Sequence, residues 1–327
     1  MRLTPYKNNP TIDIYFFQPL KDLIATRMTA KRPVRRIGQN SFVCKNTAVI
    51  IRYATRAELE LIRTIKPQNC AYVIDDDLSL LDLDSSLPMD YRNRLSIFKT
   101  GILPEILQLS DTIIAPNALI CESYGDKTCL LLDPSYTSLC DDFSHFDEPG
   151  KIDMVFSGTR SHLDDLEFIA EAVLAICKRY KHVSFTTFLG KYAPGNLQDT
   201  ENIIHRRPVS WKEFKRNQKK QFFHIALAPY KDTRFNRARS INKLFDHAAF
   251  GAAGIYSDMP PLSTAIEHGK EGLLIREDTG AWYTAMENLI TRPEKAHYLA
   301  MAGAKRAGSL GDPARVRRFW CEYLQIE

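Results

Sequence analysis

Residues 235–251 read FNRARSINKLFDHAAFG, directly after the apolar run IALAP at 225–229. On a helical wheel, Ile241, Leu244, Phe245, Ala248 and Ala249 fall on one side as a stripe fit for burial. Arg239, Lys243 and Asp246 cluster on the other side, within about 60° of arc. Ser240 stands at the predicted helix start, where a hydroxyl caps free backbone N–H groups. The charges run against the usual order. A capping box needs Glu or Gln three residues after the serine, and this chain has Lys243 there. Cations in a first turn oppose the helix dipole by about 0.3–1 kcal/mol each, and Arg239 and Lys243 are like charges four apart. A bound anion reverses both penalties, since free N–H groups at a helix start make a phosphate site. The competing reading is a solvated charged face on a surface helix.

Outward from this stretch, short apolar runs alternate with amphipathic ones, the pattern of an α/β protein. Strands are predicted before it at 153–157, 183–188 and 225–228, and after it at 254–257 and 272–275. The accompanying helices are predicted at 163–179, 240–250 and 279–291. In the first part of the chain, strands are predicted at 12–17, 48–52, 71–74, 112–115 and 128–132, with helices at 56–65, 91–109 and 118–124. Between the two series, PSYTSLCDDFSHFDEPG at 134–150 is polar, acidic and turn-rich, the texture of an interdomain linker. The expected division is a first Rossmann-like domain over 1–135, a linker over 136–150, a second domain over 151–311, and a final helix over 312–327 that crosses back to the first lobe. A length of 327 residues suits two domains better than one core. Two consecutive α/β lobes create a cleft, where ligands bind.

Composition excludes several classes. Hydrophobic residues make up 44% and charged residues 25%, which fits a globular chain and not a disordered one. A net charge of +5 suits a phosphorylated ligand or an anionic membrane surface and demands neither. No basic module interleaved with aromatics points to nucleic acid. The seven cysteines are scattered without zinc or redox spacing and are expected as buried reduced thiols of a cytosolic protein. MRLTPYKNNPTIDIYFF at the N-terminus lacks the apolar core of a secretory signal. No segment reaches the roughly 18 apolar residues of a membrane span.

The 235–251 segment resembles the donor-site helix of GT-B glycosyltransferases. In one retaining branch the pattern runs Phe-Asn-x-x-Lys-Ser-x-x-Lys-x-x-Glu-Tyr-x-Ala-x-Gly, after a strand like IALAP. Its counterparts here are Phe235, Asn236, Arg239, Ser240, Lys243, Asp246, His247, Ala249 and Gly251. The similarity continues through Tyr256-Ser257-Asp258, HGKEGLLI at 268–275 and Trp282, and covers about 152–306. The resemblance implies two Rossmann-like lobes facing a cleft, and transfer of a sugar from a nucleotide-sugar donor to a glycan or lipid-linked acceptor. It implies that Arg239 and Lys243 neutralise the donor diphosphate, that Ser240 and the helix start hydrogen-bond it, and that Asn236 also lies on the donor. Asp246 would bind the ribose hydroxyls. Three departures stand out. Arg239 replaces lysine and changes the geometry of the charge; Asp246 is a methylene shorter than glutamate; and Ala238 stands where relatives with a Glu-x7-Glu motif keep the first glutamate.

Two further stretches supply candidates. Gly158-Thr159-Arg160-Ser161-His162 lies between a strand and a helix, where a turn of small residues brings backbone N–H groups to a phosphate. Gly158 and Thr159 are donor-binding candidates, and His162 with Asp165 matches a His-x-x-Asp run of the same family. The alternative is a helix start capped by Ser161, with Asp164 and Asp165 structural. Asp75-Asp76-Asp77 follows the strand AYVI. An aspartate there can contact the acceptor or act as a base, or the run is a solvated loop. Asp76 and His162 are the catalytic candidates. An Asp-x-Asp pair also suits a divalent ion on a diphosphate, as in the other major glycosyltransferase fold, but no metal is expected and no cofactor beyond the donor.

Arg35, Arg36 and Asn40 read as a basic loop early in the first lobe, and Lys212, Lys215, Arg216, Lys219 and Lys220, on a helix with Trp211 and Phe214, read as a solvated face or as a contact with anionic lipid. The expected setting is the cytoplasm, at the inner face of a membrane, in surface polysaccharide or glycolipid assembly. Two rival functions remain on the same architecture: a sugar-nucleotide epimerase or hydrolase, and a non-catalytic nucleotide-binding module.

Overall fold

The computed structural model describes residues 8–25, 32–80, 89–148, 150–198 and 200–326. Its strands form two sheets. The first contains β1 (Ile24–Ala25), β2 (Val34–Arg36), β3 (Ser41–Cys44), β4 (Thr47–Ile51), β5 (Asn69–Val73), β6 (Thr112–Ala115) and β7 (Thr128–Leu131), in sequence order across the sheet. β2, β3 and β4 pair antiparallel, and β4 to β7 run parallel. The second contains β8 (Ile152–Phe156), β9 (Val183–Thr187), β10 (Ile203–His205), β11 (Ile225–Ala228), β12 (Ala253–Ser257) and β13 (Leu273–Ile275). Its order is β10-β9-β8-β11-β12-β13, with parallel neighbours.

That order reverses direction between β8 and β11. Helical connections leave the two strands toward opposite sides, so the loops at their C-terminal ends part and leave a crevice. The loop after β8 carries Gly158–His162, and the segment after β11 carries Arg239–Lys243. The two stretches singled out in the sequence therefore meet at the switch point.

Residues 12–17, expected as a strand, are helical: Pro10–Ile12, Asp13–Phe17 and Gln18–Leu20 run on continuously. Asn9 caps the start by accepting from the Ile12 N–H at 2.8 Å, and Pro10 sits in the first turn. A short apolar run does not distinguish helix from strand by periodicity. Ile12, Ile14, Tyr15 and Phe16 are all buried here, so the segment lacks the alternation of a half-buried strand. The helix expected over 91–109 is two helices, Met89–Gly101 and Leu103–Leu109. Pro104 has no N–H to offer the preceding turn. Strands β1, β2, β3 and β10 were not foreseen. Arg35 and Arg36, read as a basic loop, belong to β2. Cys121 and Cys129, read as reduced thiols, form a disulfide with Cα atoms 5.9 Å apart.

The final helix, Pro313–Leu324, packs on the first lobe as expected. Trp320 is fully buried, stands edge-on to Phe16 at 4.7 Å, and donates its indole N–H to the Tyr15 carbonyl at 2.6 Å. Nearby, Tyr136 N–H donates to the Gly311 carbonyl at 2.9 Å, so the chain's two crossings between the sheets lie side by side. Among the described residues, no helix is long and apolar enough to cross a membrane.

Candidate functional site

A cleft of about 580 Å³ opens between the lobes. The second lobe lines it with Ser157–His162, Tyr230, Arg239, Ser240, Asn242, Lys243 and Asp246, and the first lobe lines it with Thr11, Arg52, Tyr53, Asp75 and Asp76 among others. Gly158 is required by close approach. A Cβ there would overlap the Phe156 ring and come within 3.0 Å of His162 Cβ. Its absence lets the backbone of this loop run along the floor of the cleft.

The helix after β11 begins later than expected. Arg234–Arg237 forms a separate turn capped by Thr233, the chain bends at 238–241, and the helix proper is Asn242–Ala249. Ile241 occupies the cap position, and no side chain caps the helix. Ser240 therefore precedes the helix and does not cap it. Arg239 lies in the bend, held off the helix by its own contacts. Nε donates to Asn236 Oδ1 at 2.9 Å, Nη1 to His162 Nε2 at 2.6 Å, and Nη2 to the Ser161 carbonyl at 3.3 Å. That uses three of the five N–H groups of the guanidinium. The Phe235 ring lies 4.3 Å from the guanidinium carbon, a cation–π contact.

These contacts fix the state of His162. A guanidinium only donates, so Nε2 accepts; the ring proton then sits on Nδ1, which faces Asp165 Oδ2 at 3.1 Å. Burial, reinforced by the Arg239 charge, pushes this imidazole down to about 4. Burial raises Asp165, but His162 and Arg239 outweigh it and hold the carboxyl below its usual range. Asp165 also accepts from the Asn236 side chain and from the Lys231 N–H, both at 2.9 Å. The alternative reading of Asp165 as structural fits these bonds. Ser161 does not cap the following helix, whose cap position is His162.

Lys243 and Asp246 were placed on the face away from the core, yet they are only 8% and 9% exposed. Lys243 Nζ donates to the Ser157 carbonyl at 3.1 Å and to Ser157 Oγ at 3.2 Å, and lies 3.5 Å from Asp246 Oδ2. It ties the end of β8 to the helix. Burial lowers its pKa, against the pull of Asp246. Asp246 Oδ1 accepts from Tyr136 Oη at 2.8 Å and from Gln218 Nε2 at 3.1 Å. Sequence gave no sign of Tyr136 or Gln218, which lie 110 and 28 residues away from Asp246.

On the facing wall, Arg52 bridges Asp75 and Asp76, the latter at 2.6 Å. Thr11 Oγ1 donates to Asp75 Oδ2 at 2.9 Å. Burial raises Asp75 against the opposing Arg52 charge. Asp76 is held below the usual range: burial raises it, but Arg52 and then Arg239 pull it down. Arg52 and Thr11 were missed. Neither belongs to a motif, and only the fold brings them to the aspartates. Asp77 turns away and accepts from Ser79 and Ser123. Ala238, at the position of the first glutamate of the Glu-x7-Glu pattern, is fully buried in an apolar cluster with first-lobe residues such as Ile113 and Ile120.

Trp211 and Phe214, read alongside the basic run as a candidate lipid contact, line the cleft. Lys215 Nζ lies 3.9 Å from the centre of the Tyr136 ring. Among the described residues, no group of three His, Cys, Asp or Glu side chains is placed to hold a metal ion.

No family model and no curated protein sequence matches the chain. Solved structures do. Sucrose-phosphate synthase from Thermosynechococcus elongatus is 13% identical, with a TM-score of 0.55 over 82% of this chain and 71% of that one. Anabaena HepE in complex with UDP-glucose is 12% identical, with a TM-score of 0.58 over 85% and 78%. The pneumococcal O-GlcNAc transferase GtfA in complex with UDP and GlcNAc is 12% identical, with a TM-score of 0.56 over 88% and 62%. The chain has the two-lobed GT-B fold.

Proposed function

We propose that this chain is a glycosyltransferase that moves a sugar from a nucleotide-sugar donor to a glycan or lipid-linked acceptor. One observation carries the reading. At the β8/β11 switch point, the Gly158–Ser161 loop, the Arg239 guanidinium and an uncapped helix start converge on one cleft. A nucleoside diphosphate supplies the anion this arrangement lacks. In sugar transfer that diphosphate is the leaving group, and fixed charges aimed at it stabilise the charge it develops.

In this reading Gly158, Thr159, Ser240 and the first turn of Asn242–Ala249 hydrogen-bond the phosphates, and Arg239 neutralises them. Lys243 adds charge from beneath while holding the β8 loop in place. Asp246, oriented by Tyr136 and Gln218, offers Oδ2 to the ribose. Asn236 and His162 position Arg239. His162, a catalytic candidate in the sequence, has both ring nitrogens engaged and is better assigned to positioning than to proton transfer. The first lobe forms the acceptor wall. HepE was solved with UDP-glucose and GtfA with UDP and GlcNAc, so UDP and its hexoses are the first donors to test. A hexosyl group, an acceptor from surface polysaccharide assembly and a place at the inner membrane face are the finer parts of the proposal.

The test is thermal unfolding with UDP, GDP, ADP and their sugars, on wild type and Arg239→Ala. A ligand at about 100 times its Kd stabilises the native state by about 2.7 kcal/mol. Wild type should gain Tm with one nucleotide family, and Arg239→Ala should lose most of the gain. If no nucleotide stabilises wild type at millimolar concentration, the reading fails. An equal gain in the variant places the site elsewhere.

A further inference from the structure

Resting on the donor-site reading above, we infer that Asn117, a residue of the first lobe, is a positioning residue for the anion site of the second. It sets the direction of the peptide that joins Arg239 to Ser240. Asn117 belongs to no motif and does not line the cleft. It stands two residues beyond the end of β6, and its side chain makes two bonds. Oδ1 accepts from the Ile120 N–H at 3.3 Å and caps the short helix Ala118–Glu122. Nδ2 donates to the Arg239 carbonyl at 2.8 Å, across 122 residues of sequence and from one lobe to the other. An asparagine carries its acceptor and its donors on separate atoms. One partner here is an N–H and the other a carbonyl, so a single orientation of the amide serves both.

The second bond matters because of where Arg239 lies. Residues 238–241 form the bend between a turn and a helix. The Arg239 N–H reaches the Asn236 carbonyl at 3.3 Å, but among the described residues no donor other than Asn117 meets the Arg239 carbonyl. Helical bonding therefore does not fix this peptide, and Asn117 does. The peptide is planar and trans, so its C=O and its N–H point in opposite directions. Drawing the Arg239 oxygen toward the first lobe turns the Ser240 N–H away from Asn117. Ser240 is buried and lines the cleft, and its N–H finds no acceptor among the described residues. Backbone N–H groups of buried residues are nearly always paired. A phosphate oxygen of the donor is the acceptor this one awaits.

The first lobe also grips the segment by its apolar side chains. Phe235 and Ala238 are buried in one cluster with Ile113, Ala115 and Ile120. An exposed pair, Arg234 with Glu122 at 3.5 Å, adds little. The second lobe thus fixes the Arg239 guanidinium, through His162 and Asn236, while the first lobe fixes its backbone. The anion site is complete only when the lobes meet. By linkage, a diphosphate bound there strengthens the grip of one lobe on the other.

Calorimetry with UDP, GDP and ADP on wild type, Asn117→Ser and Asn117→Asp tests the assignment. Serine and aspartate are both good helix caps, and neither has the amide donor. The Tm of the free variants should stay within about 2 °C of wild type. Affinity for the nucleotide that wild type binds should fall about tenfold in both. The serine variant adds no charge, so repulsion of the phosphate does not account for its loss. A second measurement reads the peptide directly. The chain has two Arg-Ser pairs, 160–161 and 239–240. Carbonyl-labelled arginine with nitrogen-labelled serine therefore gives two amide signals in NMR, and Arg160→Lys identifies the one from Ser240. On saturation with the nucleotide, the Ser240 signal should move in wild type and stay in place in Asn117→Ser.

Wild-type affinity in either variant, or a Ser240 signal in wild type that ignores the nucleotide, overturns this inference and leaves the transferase reading standing. A fall in Tm that accompanies weaker binding in both variants marks Asn117 as a cap alone and overturns it as well. Failure of every nucleotide to bind wild type overturns both.

Discussion

Replacing His162 with glutamine tests whether the buried imidazole is neutral and serves to hold Arg239. A glutamine carbonyl can accept from the guanidinium and its amide can donate to Asp165, so His162→Gln keeps both bonds and removes the titration. In the folded chain the ring titrates near 4, against about 6.5 in the unfolded chain. As pH falls, the unfolded chain therefore takes up this proton first. Stability is unaffected by this group well above pH 6.5 and is lost progressively between 6.5 and 4, levelling off below. The full loss corresponds to about 3 kcal/mol. Urea unfolding of wild type and His162→Gln at several pH values from 7 to 4 isolates the effect, because other acid-sensitive groups are common to both proteins. The wild-type curve should fall more steeply, with the gap between the two widening by about 3 kcal/mol by pH 4. Parallel curves would show that the ring is already charged or already free to take a proton, and the assigned tautomer and positioning role would fall.

Two other changes probe the walls of the cleft. Gly158→Ala forces a methyl into the Phe156 ring and toward His162; it should cost about 1–3 kcal/mol in urea unfolding and weaken UDP binding in calorimetry as the loop shifts. A variant of wild-type stability and affinity would show that the backbone need not run where the structure puts it. Ala238→Glu puts an unpaired carboxyl into a fully buried apolar site and should destabilise by more than about 3 kcal/mol in thermal or urea unfolding, without raising turnover. A stable variant with higher turnover would refute the packing described for this position.

Much of the second lobe was legible because its strands are apolar runs bounded by turns. The IALAP run and the segment after it carried both an element and a candidate site. The helices Arg56–Ile65 and Leu163–Arg179 agree with their expected bounds, and the final helix, Pro313–Leu324, falls within the expected 312–327; each has a periodic apolar face and clear end signals. The first lobe was harder to read. β1 and β2 have two and three residues, and β2 carries Arg35 and Arg36, so no window shows a period. The helical turn at 10–20 carries start signals in Asn9 and Pro10, but its apolar run fits a strand equally well.

At the site, sequence found the charged residues without finding their environment. A wheel assumes that Arg239 lies on the helix, and the pull of His162, 77 residues away, bends it off. The same limit hid Tyr136, Gln218, Arg52 and Thr11, each of which matters through a partner distant in the chain.

The paired crossings between the lobes have a mechanical consequence. One strand of chain passing between two bodies permits rotation in any direction. Two strands lying side by side, joined where Tyr136 meets Gly311 and braced by Trp320 on Tyr15, leave one soft axis. Tyr136 also holds Asp246, so that axis runs past the Asp246 end of the cleft. Swinging the lobes changes spacing least there and more with distance from the axis. On the transferase proposal, a ligand stays gripped beside Asp246 while the far end of the cleft opens.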